Sequence, residues 1–435
     1  MSTKKILKMK GGIPIYPGGY SCVFKPQLKC KSRNKTNKIK KIDISKLLFK
    51  KYADIEMQNI QKIYNALKKI PKSHKYFLFT KTTTCSPAKI STRDLKGFDK
   101  VCTNFTSHHV YESNINQIKN IRNLRLINMP NAGISINEWL FIQKKNVTKP
   151  LTISRLKIFN KIISQLILHA IVPMNKQGVI HNDMKEDNIL IQSTSPTIID
   201  WGISGISTHE HPIPEVIMNR YISISNPFSS ILFTTEFSQN YSEFLKQNAI
   251  NTADHVENMR HNSDIIKKLR DFSLEQYLKN IEYGHYSHIR TFFKNVFNYF
   301  HNSNTFSEIR VNVESSDELY HTLASNYISD ILIHFTEFDK RDGMIRFQYA
   351  SYFTKVYIFN CDIWGTIFCY SIFFSFQNTH QDKGKYSYNK YIDIPLSIYS
   401  SFLDSILSMY MKQVMINGHE KINTYKLTNS ITHFI

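Results

Sequence analysis

Apolar residues recur at three- and four-residue spacing in two stretches of the chain, which is the spacing of one face of an α-helix. The longer stretch starts near Ser154, which suits a helix N-cap, and stops before Gly178. Its apolar positions are Leu156, Phe159, Ile162, Ile163, Leu166, Ile167 and Ala170. The other stretch, 53–67, has apolar residues at Ile55, Ile60, Ile63, Tyr64 and Leu67. Both patterns predict helices that pack one face against a core.

Three shorter segments have the pattern of β-strands. Residues 42–49 alternate between apolar and polar side chains and then become apolar, which predicts a partly buried strand. The apolar runs 189–191 and 197–199 predict two short buried strands. Such strands would hold Asn188 and Asp200, which flank them, a fixed distance apart.

A long apolar stretch, 358–376, has the length of a membrane-spanning helix. It also contains Asn360, Asp362, Gly365 and two serines, and these residues favour a buried core helix. We therefore expect no transmembrane segment. Helical stripes also occur between about residues 240 and 352, where we predict a helical insertion.

The polar residues with the most chemical meaning lie at 181–191, which read H-N-D-M-K-E-D-N-I-L-I. The sequence D-W-G follows at 200–202. Phosphoryl transfer needs a carboxylate that accepts a hydroxyl proton, and an amide and a second carboxylate that hold Mg²⁺. The pattern H-x-D-x-K-x-x-N followed by D-x-G resembles the catalytic loop and metal motif of the protein kinase superfamily.

The resemblance implies a role for each of these residues. Asp183 would be the catalytic base, and Lys185 would steady the transferred phosphoryl group. Asn188 and Asp200 would hold Mg²⁺ against the phosphates of ATP. The fold implied is a two-lobed α+β protein-kinase-like fold. A small β-rich lobe would span 1–128, and a large helical lobe with the insertion at 240–352 would span 129–435.

Residues 15–24 resemble the glycine-rich loop that covers the phosphates, G-x-G-x-x-G-x-V. Gly18 and Gly19 stand at its centre, and Val23 matches the valine that would cover the adenine. Ser21 stands where the third glycine usually lies. Adjacent glycines alone would equally predict a hairpin turn.

The resemblance also implies an ion pair between a strand lysine and a helix glutamate. Lys46 in the predicted strand and Glu56 in the predicted helix match this pair. The stretch is lysine-rich, so Lys41, Lys50 and Lys51 remain alternatives for the lysine.

Two further stretches resemble parts of the same family. Residues 125–136 resemble the last strand of the small lobe and the hinge, whose backbone binds adenine. Pro130 has no backbone N–H, so Met129 is the expected contact. Residues 357–368 resemble the D-x-W-x-x-G helix, with Asp362 and Trp364 in place. Gly365 stands two positions before the place of the family's glycine.

The 435-residue chain has a net charge of +22 and a pI of about 9.5. Basic residues are dense at 29–41, which we expect to form a loop. This loop is a solvated face, a dock for an acidic substrate, or a patch for nucleic acid, another polyanion or a membrane. The six cysteines include no C-x-x-C pair, which suits a reducing compartment, where cysteines stay unpaired, and no zinc site.

The pattern G-G-Y-x-C-V-F-K-P-x-L-x-C at 18–30 resembles divergent serine/threonine kinases of giant nucleocytoplasmic DNA viruses. The resemblance implies a serine/threonine protein kinase that uses ATP and Mg²⁺ on a protein substrate. A location inside the host cytoplasm or the virion would follow. A pseudokinase scaffold and a small-molecule or lipid kinase are the alternatives, and the oligomeric state stays open.

Overall fold

The computed structural model describes residues 12–18, 20–31, 43–79, 82–141, 143–144, 147–148, 150–284, 286–302, 313–379 and 392–434. The chain divides into two compact units. The N-terminal unit comprises Met1–Gly133 and Thr197–Gly202, and the C-terminal unit comprises Ile134–Pro196 and Ile203–Ile435. The segment that carries Asp200 therefore belongs to the N-terminal unit.

An antiparallel sheet of five strands, in the order β1-β2-β3-β5-β4, forms the centre of the N-terminal unit. The strands are β1 Ile13–Pro17, β2 Ser21–Lys25, β3 Asp43–Phe49, β4 Thr83–Cys85 and β5 Leu124–Pro130. The helices are α1 Lys50–Leu67, α2 Ser73–Tyr76, α3 Phe98–Val101, α4 Thr103–Thr106 and α5 Ile118–Ile121. The predicted strand 42–49 and helix 53–67 correspond to β3 and α1.

The sheet buries its two faces against different partners, as alternation along a strand requires. Cys22, Phe24 and Leu47 on one face pack into a cluster with the short helical segments between residues 90 and 115. Leu48 and Ile127 on the other face pack against Ala53 of α1. Lys46 lies opposite Ile127 in the sheet register and so shares the face covered by α1.

Helix α1 differs from its predicted stripe in one informative way. Its buried residues are Ala53, Glu56, Ile60, Ile63 and Leu67. Ile55, which the apolar pattern assigned to the buried face, is exposed. The buried face thus includes a carboxylate in place of an apolar residue, because Glu56 meets a cation on the sheet.

The C-terminal unit is mainly helical. Its helices are α6 Ile136–Leu140, α7 Ile153–Leu166, α8 Val172–Lys176, α9 Thr235–Gln247, α10 Ala253–Met259, α11 Ser263–Ile281, α12 Tyr286–Asn302, α13 Ser316–Phe335, α14 Tyr349–Tyr352, α15 Ile358–Phe368, α16 Leu396–Met409 and α17 Thr424–Thr432. Its strands are β6 Ile134–Ser135, β7 Gln143–Lys144, β8 Val147–Thr148, β9 Leu151–Thr152, β10 Val179–Ile180, β11 Ile189–Gln192, β13 Gly205–Ile206, β14 Thr336–Asp339, β15 Met344–Phe347 and β16 Ile392–Asp393. Strand β12, Ser195–Ile198, runs from this unit into the segment of the N-terminal unit.

Two details of this unit differ from the sequence pattern. The N-cap of α7 is Thr152, whose hydroxyl accepts a hydrogen bond from the Arg155 amide, and not Ser154. The segment 240–352 is mostly helical, but it also contains the antiparallel hairpin β14–β15. The hairpin was not predicted, because Thr336–Asp339 shows no extended alternation of apolar and polar residues.

Two helical stretches, Ile153–Lys176 and Tyr349–Ser375, are long and apolar enough to cross a membrane. Within the most apolar window of the second, 83% of the residues are buried inside the unit. In the first the share is 56%. In the structure, α15 therefore packs as a core helix.

Four of the six cysteines form disulfides in the N-terminal unit. Cys22 pairs with Cys102, and Cys30 pairs with Cys85. The expectation of unpaired cysteines is wrong for these four. The two cysteines of each pair are 80 and 55 positions apart in the sequence, so only the folded unit brings them together. Cys361 and Cys369 are free and buried.

Candidate active site

The N-terminal unit places two carboxylates against one lysine. The Lys46 Nζ atom lies 2.9 Å from Glu56 Oε1 and 3.0 Å from Asp200 Oδ1. Strand β3 supplies Lys46, helix α1 supplies Glu56, and the segment after β12 supplies Asp200. Of the four lysines that the sequence left open, Lys46 is the one with these contacts, while Lys50 and Lys51 are exposed and Lys41 lies outside the described residues.

The charges in this group depend on each other. Burial of the Lys46 ammonium lowers its pKa, but the nearby carboxylates of Asp200 and Glu56 outweigh burial and raise it. Burial raises the pKa of the Glu56 carboxyl, although Lys46 opposes this shift. The lysine therefore stays charged, as contact with anionic phosphates requires.

A second contact ties the Asp200 segment to α1. The side-chain amide of Asn59 donates a hydrogen bond of 3.0 Å to the Trp201 carbonyl. The Trp201 ring packs against Phe77 and Phe79, at centroid distances of 5.6 and 4.9 Å. Asp200 itself has a positive φ of 63°, a conformation rare for a residue with a side chain. The neighbours of Asp200 thus fix where its carboxylate lies.

Strands β1 and β2 join in a tight hairpin at the predicted phosphate loop. The Gly18 amide donates to the Ser21 carbonyl at 2.8 Å, and the Ser21 amide donates to Gly18 at 3.3 Å. A Cβ atom on Gly18 would lie 2.2 Å from Ser21 Oγ, so a larger residue there would force the Ser21 side chain to move. Gly19 lies outside the described residues.

Val23 and Met129 lie on the same face of the sheet as Lys46. Val23 pairs directly with Lys46, and Met129 pairs with Ile44, two residues before Lys46. Both side chains are partly exposed. The sheet therefore offers two apolar side chains beside the ammonium, which is the chemistry that an adenine ring and its phosphates need together.

The C-terminal unit groups its predicted catalytic residues around Asp183. The Lys185 ammonium donates to both carboxylate oxygens of Asp183, at 3.1 and 2.9 Å. The Asn188 side-chain amide donates to the Asp183 carbonyl at 2.8 Å and to its Oδ2 at 2.9 Å. Two side chains from the same six-residue stretch thus converge on the Asp183 carboxylate.

A buried aspartate holds the backbone of this loop. The Asp362 carboxylate accepts hydrogen bonds of 2.9 Å from the amides of His181 and Asn182. It accepts a third, also 2.9 Å, from the Asn175 side chain. Burial raises the pKa of the Asp362 carboxyl, while His181 and these hydrogen bonds act in the opposite direction. Helix α15 thereby fixes the loop that carries Asp183.

The glycine of α15 stands where the loop comes closest. A Cβ atom on Gly365 would lie 2.3 Å from the Met184 carbonyl and 2.8 Å from the Ser225 carbonyl. The close approach of these two carbonyls therefore explains why a glycine stands at 365, two positions before the place of the family's glycine. Ile367, at the place of the family's glycine, is buried and its carbonyl accepts a hydrogen bond from Tyr410.

The donor atoms present fit Mg²⁺, which prefers carboxylate and amide oxygens. The nitrogen of the Asn188 amide is engaged with Asp183, so its oxygen is the atom that this amide offers to a cation. The Asp200 side chain is 44% exposed and remains accessible. Asn188 in the C-terminal unit and Asp200 in the N-terminal unit thus each carry an oxygen atom of the kind that Mg²⁺ prefers.

The match to known families falls on this region. Residues 106–239 match the model of the RIO domain, and this range includes Asp183, Asn188 and Asp200.

The chain is protein-kinase-like over this segment.

Its kinase-like fold comprises the small β-sheet of the N-terminal unit and the helical C-terminal unit. The RIO match starts after Lys46 and Glu56 and ends before Asp362. Among solved structures, this protein-kinase-like chain is similar to the kinase PK-1 of the Cydia pomonella granulovirus. The identity is 13% and the TM-score is 0.27, over 50% of this chain and 60% of that one. The chain thus spans less than two thirds of that kinase. No curated protein matches it.

Sequence reasoning missed three asparagines that contact the candidate residues or their neighbours within each unit. Asn59 follows Glu56 by three positions and so shares its helix face, a signal that was available. Asn226 belongs to the N-P pair at 226–227, which stood out in the sequence, and its amide donates to Asn182 Oδ1 at 2.8 Å. Asn175 lies 187 positions from its partner Asp362, and nothing in the local sequence predicts that contact.

Proposed function

We propose that the protein transfers the γ-phosphate of ATP to serine or threonine hydroxyls of a protein substrate. The observation that carries this proposal is the convergence of Lys185 and Asn188 on the Asp183 carboxylate. This carboxylate would orient the acceptor hydroxyl and take its proton. The adjacent Lys185 ammonium would stabilise negative charge on the phosphoryl group as it moves.

The N-terminal unit would contribute the nucleotide contacts. Lys46, held by Glu56, would bind the phosphates, and the hairpin Gly18–Ser21 would bring backbone amides to them. Val23 and Met129 would pack against adenine. ATP supplies the phosphoryl group, and Mg²⁺ held by Asn188 and Asp200 would neutralise its charge.

Two other functions stay open as outcomes of the test. A pseudokinase scaffold would bind partners without transfer, but Lys46, Asp183 and Asp200 are all present with polar contacts. A small-molecule or lipid kinase usually lacks a lysine two places after the base, and Lys185 stands there. Lys185 therefore favours a protein acceptor.

For location, we propose the host cytoplasm or the virion. The two disulfides favour the virion, because the cytosol keeps thiols reduced. A contact with nucleic acid or another polyanion through the basic loop 29–41 is also proposed. Most of that loop lies outside the described residues.

The test is transfer from labelled ATP with Mg²⁺ to generic acidic and basic protein substrates, followed by phosphoamino-acid analysis. The control is Asp183→Asn, which keeps the size of the side chain and removes the base. We expect label on serine or threonine, and a loss of kcat of about 10²–10⁴-fold in the variant. Label on lipid or a small molecule alone would favour the second alternative. Equal transfer by both proteins would contradict the proposal.

A further inference from the structure

The excess of positive charge lies entirely in one part of the chain. Residues 1–133 contain 28 lysines and arginines but only 6 aspartates and glutamates, a net charge of +22. Residues 134–435 contain 28 of each kind and are neutral overall. A random scatter of surface charge would not produce this division, so the N-terminal unit carries the electrostatic attraction for any anionic partner.

Helix α1 concentrates part of this charge on one face. With about 100° between successive residues, its exposed cations fall within roughly 120° of arc. They are Lys50, Lys51 and Lys62, followed in the continuing turn by Lys68 and Lys69, and all are exposed. The opposite face holds the buried Glu56 and Ile60. Lys72 and Lys75 extend the cationic face beyond the helix, and both are exposed.

These ammonium groups have no carboxylate partners within the described part of the unit. There, the two ion pairs both involve Lys46, with Glu56 and Asp200. Asp54 is the single acidic residue on the exposed face of α1, and no ion pair joins it to Lys50 or Lys51 among the described residues. The ammonium groups of this face therefore remain available to a ligand, and the face keeps a net positive charge.

The other side chains of this face indicate which ligand. Between the lysines lie Gln58, Gln61 and Asn65, which are exposed amides able to donate hydrogen bonds. Lysine and amide side chains are the groups that contact nucleic-acid phosphates and sugars. A membrane-binding helix also needs an apolar face to insert. Ile55, at the edge of the arc, is the single large apolar side chain of α1 that is exposed, at 52%.

We propose that the cationic face of α1, Lys50 to Lys69 with Gln58, Gln61 and Asn65, binds the phosphodiester backbone of nucleic acid. The stretch from Lys50 to Lys68 is about 27 Å long at 1.5 Å per residue, which spans roughly eight base-pair steps of a duplex. The lysines at its two ends, and Lys62 between them, would contact separate phosphates along the backbone without reading sequence. This surface is separate from the phosphate-transfer residues, so the proposal does not depend on the enzyme being active.

The test measures binding of the full-length protein, without ATP, to a fluorescent duplex DNA and a single-stranded RNA. One variant changes Lys50, Lys51, Lys62, Lys68 and Lys69 to Gln. The matched control changes the exposed residues Lys157, Lys161, Lys176, Lys267 and Lys268 of the C-terminal unit to Gln, with the same change in charge. Thermal unfolding of each protein verifies that the variants fold.

We expect the α1 variant to bind about 10²-fold more weakly near 100 mM salt and to lose about three to five units of salt-dependence slope on DNA. The control should stay within about threefold of the parent. Binding of either DNA or RNA that is lost in this way supports the proposal. An equal loss of binding in both variants would show that binding depends only on the net charge of the protein, and it would overturn the proposal.

Two further arms separate the competing sites and ligands. A variant with Lys35, Lys38, Lys40 and Lys41 changed to Gln tests the basic loop 29–41. A loss of binding confined to that variant would contradict the assignment to α1. Vesicles containing phosphatidylserine test a membrane surface. Vesicle binding that is tighter than nucleic-acid binding and that the α1 substitutions abolish would also overturn the proposal.

Discussion

Asn182, in the loop that carries Asp183, is joined directly to Asn226 by a neutral side-chain hydrogen bond of 2.8 Å. The backbone amide of Asn182 also donates a hydrogen bond to the buried Asp362 carboxylate. Many kinases have an arginine beside the catalytic aspartate, where it binds a phosphate on the segment that follows the metal motif. Asn182 cannot form such a bidentate ion pair. In this chain a hydrogen bond that needs no phosphate joins the loop to the segment.

We therefore predict that activity does not require phosphorylation of the segment after Gly202. Phosphatase-treated protein should keep its activity, and so should the variant with Ser207 and Thr208 changed to Ala. Ser204 is unsuitable for this test, because its hydroxyl is buried and donates to the His181 carbonyl. A large loss of activity that rephosphorylation restores would contradict the prediction.

The hydrogen bond between Asn182 and Asn226 predicts that mutations of these two residues have coupled effects. Asn182→Ala and Asn226→Ala should each lower kcat/KM by roughly five- to tenfold, since a partly buried side-chain hydrogen bond contributes about 1 kcal/mol. The double variant should lose little more than either single one. Fully additive losses in the double-mutant cycle would show that the two side chains act independently.

Glu56→Gln should weaken nucleotide binding more than it slows the transfer step. The variant removes the charge that fixes Lys46 from the helix side, while Asp200 still attracts the ammonium. We expect KM for ATP to rise about tenfold, as typical for the loss of a charge-assisted contact of 1–2 kcal/mol. Asp54→Asn, an exposed change on the same helix, serves as the control. An unchanged KM for ATP in the Glu56 variant would contradict a role of Glu56 in nucleotide binding.

Reduction of the disulfides should destabilise the N-terminal unit. The Cys22–Cys102 bond closes a loop with a separation of 80 residues, so its entropic contribution to stability is about 4 kcal/mol. The Cys30–Cys85 loop is nested inside it and should add less. We expect the Tm to fall when dithiothreitol is added. A variant with these four cysteines changed to Ala should show no further response to the reductant.

A pH effect should come from the C-terminal unit. His419 Nδ1 is hydrogen-bonded to Asp330, and this contact raises the pKa of His419 above its ordinary value near 6.5. The His334 ring stacks on the His419 ring, with 3.6 Å between the ring centroids. Glu420 Oε1 lies 3.7 Å from His419 Nε2. A raised folded-state pKa stabilises the protein fully below the unfolded-state pKa, and the effect is lost as pH rises through the folded value.

Denaturation of the parent and of His419→Gln at several pH values checks this direction. The difference in free energy of unfolding should be largest near pH 5.5 and should shrink toward pH 8.5. A difference that grows with pH would show that the neutral form of His419 is the stabilising one.

The arrangement of the loop at 181–188 was predictable from sequence because the motif depends on local spacing. Asp183, Lys185 and Asn188 lie within one short stretch, and the structure brings their side chains together. The strand of Lys46 and the helix of Glu56 also followed from local alternation and periodicity. The choice among nearby lysines did not, because only the register of the sheet decides which of them faces α1.

Contacts between distant parts of the chain were beyond the local patterns. The cysteine pairs, the Asn226 contact and the hydrogen bond from Asn175 to Asp362 each join residues that are 44 to 187 positions apart. No periodicity encodes such pairs. Ile55 shows a different limit of local patterns. The apolar pattern predicted that Ile55 is buried, but Ile55 is exposed and the neighbouring Glu56 is on the buried face of α1.

The membership of Asp200 in the N-terminal unit limits how the protein can be dissected. The side chains of Lys46 and Asp200 touch although 154 positions separate them. No continuous fragment contains this unit by itself, since its last piece, Thr197–Gly202, comes after 63 residues of the other unit. An expressed piece ending at Gly133 would keep Lys46 and Glu56 but lose their third partner. Nucleotide-binding studies on such a truncated piece would therefore measure a different site from that of the intact chain.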